Sequence, residues 1–182
     1  MLLKKTYLTA NEVTRDSFLL AHKVYVSGFA PDVIIALWRG GTPVGCVVHE
    51  YLQQRGIACY HTAVKVTSYT GIGTHGEAVI ENIEAVCALL KPESRVLVVD
   101  DIFDSGRTAQ ALRHRLEPLA RDIRFAMPYF KPGSNVMPFA PDYFVHQTDS
   151  WLVFPHELAG LTSEEIREKD PFVAGLLESK MD

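Results

Sequence analysis

The sequence predicts an α/β fold: an open, mostly parallel sheet with helices on both faces. Short unbroken apolar runs, Val33 to Leu37 and Val96 to Val99, suit strands that are buried on both faces, as parallel strands are. Stretches with an apolar stripe at helical spacing lie between such runs, so strand and helix signals alternate. No repeat, low-complexity tract or Gly/Ser linker interrupts the 182 residues, and one domain spanning 1–182 is the simplest account.

The elements follow in order. Thr9 and Glu12 have capping-box spacing and open a helix predicted over about Asn11 to Ser27. Pro31 precedes the strand Val33 to Leu37. Thr42 and Pro43 read as the N-cap and first residue of a second helix, with Val44, Val47, Val48, Tyr51 and Leu52 on one face and Gly56 past its end. Ala58 to Val66 reads as a strand, and the glycine-rich Thr67 to Gly76 as a loop. Val79, Ile80, Ile83, Val86, Cys87 and Leu90 form another helical stripe, stopped by Pro92. Arg95 to Val99 is the next strand, and Ala109, Leu112, Leu116 and Leu119 mark the helix after it. Arg124 to Met127 and Tyr143 to Val145 are two more strands. Beyond Pro155 the chain is polar and reads as helical, with a second capping box in Thr162 and Glu165.

Composition narrows the class. With 47% apolar and 22% charged residues the chain is an ordinary globular one. A net charge of −4 offers no basic stripe for a nucleic-acid partner. No stretch reaches the ~20 apolar residues that would span a membrane, and the start has no apolar leader, so a cytoplasmic protein without a membrane partner is expected. Cys46, Cys59 and Cys87 form no C-x-x-C pair and are expected to be reduced and mostly core-facing. The seven histidines show no metal-ligand spacing.

The chemistry concentrates between Val96 and Thr108. A buried strand ends in Asp100 and Asp101, a short loop of small residues follows, and a helix begins. The free N–H groups of such a loop and the positive end of the helix favour a phosphate. Ser105 and Thr108 add hydroxyl donors, and the carboxylates suit a sugar diol or a metal carried on a substrate. A plain solvated turn leaves three aspartates at a buried strand end without a reason. A phospho-acceptor receiver domain also ends a strand in Asp-Asp, but on its first strand, whereas this pair lies past the midpoint of the chain.

Four apolar residues, two acidic, two apolar, then Asp104-Ser105-Gly106-Arg107-Thr108 resemble the phosphoribosyl-pyrophosphate motif of the type I phosphoribosyltransferases. The resemblance runs from about Pro31 to Phe154 and implies that family's fold, with a small hood region. It implies that Asp100 and Asp101 hold the ribose hydroxyls and that Asp104, Ser105, Gly106, Arg107 and Thr108 hold the 5′-phosphate. Asp104 would also sit near the purine N7 as proton acceptor. Trp38-Arg39-Gly40-Gly41 resembles the family's pyrophosphate loop, with Arg39 and Gly40 on the pyrophosphate and a cis peptide between Trp38 and Arg39. Ser68 and Tyr69 resemble the flexible loop that closes over the site.

Lys131 stands where the 6-oxopurine branch has its donor to O6, Trp151 where an aromatic stacks on the base, and Leu152 and Val153 near the base's 2-position. The implied reaction moves a 5-phosphoribosyl group from phosphoribosyl pyrophosphate to hypoxanthine or guanine, with xanthine as a third acceptor. The implied cofactor is Mg²⁺ carried on the substrate's pyrophosphate near Asp100 and Asp101, with no protein-built metal site. A homodimer or homotetramer is implied as well. The rival readings are a transferase for another base and a non-enzymatic nucleotide-sensing regulator on the same fold. The acidic net charge and the joint presence of Asp104, Lys131 and Trp151 weigh against the regulator.

Overall fold

The computed structural model describes residues 5–71 and 74–179, without the side chains of residues 68–77. The elements are β1 (Lys5–Tyr7), α1 (Ala10–Val26), β2 (Val33–Trp38), α2 (Gly41–Gln54), β3 (Tyr60–Gly71), β4 (Thr74–Glu81) and α3 (Glu84–Cys87). They continue with β5 (Arg95–Val99), β6 (Ile102–Phe103), α4 (Arg107–Leu116), β7 (Asp122–Phe130), β8 (Tyr143–Gln147), β9 (Trp151–Val153), α5 (Ser163–Lys169) and α6 (Pro171–Glu178). The chain divides into two compact units, residues 11–149 and residues 1–10 with 150–182.

The larger unit is the expected open sheet. Its strands lie in the order β4-β3-β2-β5-β7, and every pairing but β3 with β4 is parallel. β8 takes one edge of β7, and β5 and then β6 share the other. The apolar runs bury both faces of β2 and β5. Val33, Ile35 and Leu37 pack with Val96, Val98, Phe125 and the Leu112 and Leu116 stripe of α4. On the other face Ala36 meets α2 at Gly45, where a Cβ would lie 2.6 Å from the Ala36 Cβ.

At the amino ends of the strands the Asp32 carboxylate accepts from the Arg95 backbone N–H at 2.8 Å and its guanidinium at 3.0 and 3.2 Å. Those bonds hold the Asp32 pKa below the usual carboxylate range. Tyr60 N–H donates to the Asp32 carbonyl at 2.9 Å, so one residue joins the starts of β2, β3 and β5.

In the smaller unit β1 pairs in parallel with β9. The capping box of Thr162 and Glu165 is formed at α5, as read from the sequence. Asp170 caps α6, accepting from Phe172 and Val173 N–H. Contrary to the polar reading of this tail, α6 is apolar and exposes Phe172, Leu176 and Leu177.

Several expectations are corrected. The loop predicted over Thr67 to Gly76 lies in the strands β3 and β4 as far as it is described, and Val79 and Ile80 belong to β4, not to a helix. β-branched residues suit a pleated strand as well as a helical stripe. The register Val66↔Ile80 and the Lys65–Glu81 ion pair at 2.9 Å belong to a cross-strand pairing that spacing does not reveal. Asn82, at φ 62°, ends the strand, and only Glu84–Cys87 is helical. Thr42 does not cap α2: its hydroxyl donates to the Arg39 carbonyl at 2.7 Å, and the helix begins at Gly41. Cys46 is exposed, since α2 turns Gly45 and Val48 inward instead.

Gly45→Ala tests the contact between α2 and β2. Alanine favours a helix over glycine by about 1 kcal/mol, but its Cβ would overlap that of Ala36. The expected result is a lower midpoint of thermal unfolding, partly restored by adding Ala36→Gly.

Candidate active site

The site begins where β5 leaves the ladder. Pairing between β5 and β7 ends at Val99↔Ala126 and resumes in β6 at Ile102↔Tyr129, with no change of register. Asp100 and Asp101 fill the gap, and continuing the register places them opposite Met127 and Pro128. Pro128 has no N–H, so it asks nothing of the interrupted strand. Asp100 N–H still reaches the Ala126 carbonyl at 3.3 Å, while Asp101 N–H turns to the Asp100 Oδ1 at 3.0 Å.

The loop after β2 reaches the acidic pair because it carries glycines. A Cβ on Gly40 would lie 1.8 Å from the Asp101 Oδ2, and one on Gly41 2.5 Å from the Val99 carbonyl oxygen. Neither position admits a side chain without moving the pair. The Trp38–Arg39 peptide is cis, as the resemblance implied. Arg39 itself is exposed. Burial, reinforced by the neighbouring Asp101 carboxylate, pushes the Asp100 pKa well above the usual carboxylate range.

After β6 the chain turns through Asp104, Ser105 and Gly106 into α4. Gly106 has φ 78°, a conformation glycine adopts without penalty, and a Cβ there would lie 2.7 Å from Met137 and 2.9 Å from the Phe103 ring. Gly106, the N-cap residue of α4, brings no side-chain cap, and the Arg107 N–H points to the Ser105 Oγ at 3.5 Å. Asp100, Asp104, Ser105, Gly106 and Thr108 line one cavity of about 390 Å³. Arg107 is exposed and lies outside that lining. A larger cavity of about 460 Å³ runs beside α2 and β3, and neither the Asp100–Asp101 pair nor residues 104–108 line it.

Lys131 is buried at the end of β7, and its Nζ lies 3.2 Å from the Asp104 Oδ2. The larger unit thus brings Asp104 and Lys131 into direct contact and sets Gly40 against Asp101, with Arg39 exposed beside it. Ser68 and Tyr69 lie in β3 by their backbone, with side chains outside the described residues.

In the smaller unit β9 holds the other base-site candidates. Trp151 is half exposed, and Leu152 and Val153 are buried. The Val153 carbonyl already accepts from Leu8 N–H at 3.0 Å. Sequence reasoning passed over Lys169, whose ammonium donates to the carbonyls of Phe154 at 2.8 Å and Pro155 at 3.0 Å, and to that of Glu157. It thereby fixes the turn that leaves β9. A lone lysine in a charged helix carries no signal of that role.

Fold and site together describe an α/β protein in which Asp100, Asp101, Asp104 and Lys131 gather at the carboxyl ends of parallel strands, where ligands of such sheets bind. Residues 6–176 match the phosphoribosyl transferase domain, and the chain belongs to that family. It is 28% identical over 173 residues to the xanthine-guanine phosphoribosyltransferase of Cereibacter sphaeroides, covering 92% of this chain and 95% of that one. The crystal structure of a purine phosphoribosyltransferase from Pyrococcus horikoshii is 30% identical with a TM-score of 0.68, over 87% of this chain and 97% of that one. A Neisseria gonorrhoeae protein solved with bound ppGpp has a TM-score of 0.73 at 20% identity, over 94% and 99% of the two chains, a likeness of fold.

The raised pKa of Asp100 yields a stability prediction. The folded state holds this proton to higher pH than the unfolded chain does, so stability falls as pH rises from about 4, the ordinary carboxylate value, through the raised one. Asp100→Asn keeps an acceptor for Asp101 N–H and removes that dependence. The variant should unfold at a higher temperature than the parent near neutral pH, with the difference closing toward pH about 4. An unchanged midpoint across this range would refute the account.

Proposed function

We propose that the chain is a purine phosphoribosyltransferase acting on 6-oxopurines: guanine and hypoxanthine and, as the names of its xanthine-guanine relatives suggest, xanthine. The observation that carries this reading is the contact between Lys131 and Asp104 beside the phosphate loop. A 6-oxopurine protonated at N7 presents a carbonyl acceptor at O6 next to an N–H donor at N7. A lysine donor beside a carboxylate acceptor matches that edge. Adenine offers an amino donor at position 6, which the ammonium cannot accept.

In this reading the loop Asp104–Thr108 and the amides opening α4 hold the 5′-phosphate, and Asp100 and Asp101 accept from the ribose hydroxyls. Arg39 and the backbone at Gly40 face the pyrophosphate. The bond from C1′ to pyrophosphate breaks and the bond from C1′ to N9 forms. The base loses its N7 proton to Asp104, which stands beside the Lys131 ammonium.

The substrate's pyrophosphate would arrive with Mg²⁺, which neutralises the leaving group. Among the described residues no three His, Cys, Asp or Glu side chains converge. Asp100 and Asp101 are hard oxygen donors and fit a cation that keeps its substrate oxygens and waters.

Two experiments test the reading. Steady-state kinetics of the parent on guanine, hypoxanthine, xanthine and adenine should show use of 6-oxopurines and almost none of adenine. Lys131→Ala should lower kcat/KM for guanine by about 10- to 100-fold, the value of one hydrogen bond from a charged donor, without improving adenine. A preference for adenine refutes the base assignment, and binding without turnover of any base supports the regulator instead. Separately, Asp100→Asn with Asp101→Asn should lower kcat/KM for phosphoribosyl pyrophosphate by at least about tenfold. Unchanged efficiency would remove these residues from the sugar site.

A further inference from the structure

The segment between β7 and β8 lies along the phosphate loop residue by residue. Lys131 N–H donates to the Phe103 carbonyl at 2.9 Å, and Lys131 Nζ to the Asp104 Oδ2 at 3.2 Å. Val136 N–H donates to the Ser105 carbonyl at 3.2 Å. Met137 packs so close to Gly106 that a Cβ there would lie 2.7 Å from its Cγ. Residues 103 to 106 are therefore each touched by the same stretch of chain.

That stretch is shaped by Asn135, which donates to the Phe139 carbonyl at 2.8 Å and accepts from Met137 N–H at 2.9 Å. Its far end is anchored by the Phe139 ring, edge-on to Phe103 with centroids 5.9 Å apart. The Arg113 guanidinium sits 4.4 Å from the Phe139 centroid and 5.2 Å from that of Phe125. Arg113 Nε is buried with no hydrogen-bond partner among the described residues. Contact with aromatic rings is thus a main constraint on this side chain. Arg113 stands on α4, the helix that begins where the phosphate loop ends.

We infer that Arg113 and Phe139 are positioning residues that clamp segment 131–139 onto loop 103–106, so that Lys131 and the phosphate loop move as one rigid piece. The inference rests on the proposed reading of that loop as the 5′-phosphate site and of Lys131 as the base donor. Its consequence is a coupling: whatever loosens the clamp loosens the grip on both substrates together. Preorganisation of this kind acts on binding geometry and leaves the reacting groups themselves intact.

Arg113→Met and Phe139→Leu each remove the cation–ring contact while keeping most of the volume, and Phe139→Tyr keeps the ring. In folded protein, the first two should raise KM for phosphoribosyl pyrophosphate and for guanine together by about three- to tenfold, with kcat retained. The double variant should be no worse than the worse single one, and Phe139→Tyr should match the parent. Amide hydrogen exchange at residues 105–108 should accelerate in the Met and Leu variants while β5 stays protected. KM values that stay at the parent level, additive effects, or a Phe139→Tyr variant as impaired as Phe139→Leu would each overturn the clamp. A parent without turnover would overturn the functional reading; the exchange measurement tests the clamp independently, and unaltered exchange at 105–108 would overturn it.

Discussion

Two carboxylates on adjacent residues, one of them drawn into the protein, repel each other and resist desolvation. Holding Asp100 and Asp101 at the end of β5 requires a surrounding that tolerates them, and much of the larger unit's ligand end is shaped by that requirement. The ladder opens for two residues without losing register, because β6 resumes the pairing that β5 leaves. The neighbouring strand places Pro128, which has no donor to leave unsatisfied, across from the gap. The facing loop carries glycines at the positions where a side chain would collide with the pair. Asp100 responds by holding its proton more tightly than a free carboxyl.

The charges near this pair are segregated in a useful way. Asp104 is matched by Lys131 at 3.2 Å, whereas the acidic pair has glycine backbone as its near neighbour. Asp104 thus has a side-chain cation, while Asp100 accepts from the backbone N–H groups of Asp101 and Gly41.

Much of this was legible in the residues. The runs Val33–Leu37 and Val96–Val99 are apolar because both their faces are covered, so they read directly as strands. The motif from Val96 to Thr108 announced a strand, a turn and a helix in order, and the structure has them. What escaped depended on partners far away in sequence. β6 is two residues long and exists because β7 offers an edge. Val79 and Ile80 satisfy a helical stripe and a strand equally, and the partner strand β3 decided between them. β9 is three residues paired with the start of the chain, and the service of Lys169 to three carbonyls follows from a turn about fourteen residues earlier. Phe139 and Arg113 carried no pattern at all, since their contact joins a loop to a helix through ring faces.

The ion pair of Asp32 and Arg95 lies at the opposite end of the strands from the acidic pair. Asp100 stands five positions after Arg95, on the order of 17 Å of extended chain. That exceeds the ~10 Å over which exposed charges feel one another at moderate ionic strength. Both partners of the pair are near half exposed. The anchor that joins the starts of the strands is therefore remote from Asp100, and water and salt reach its two charges directly.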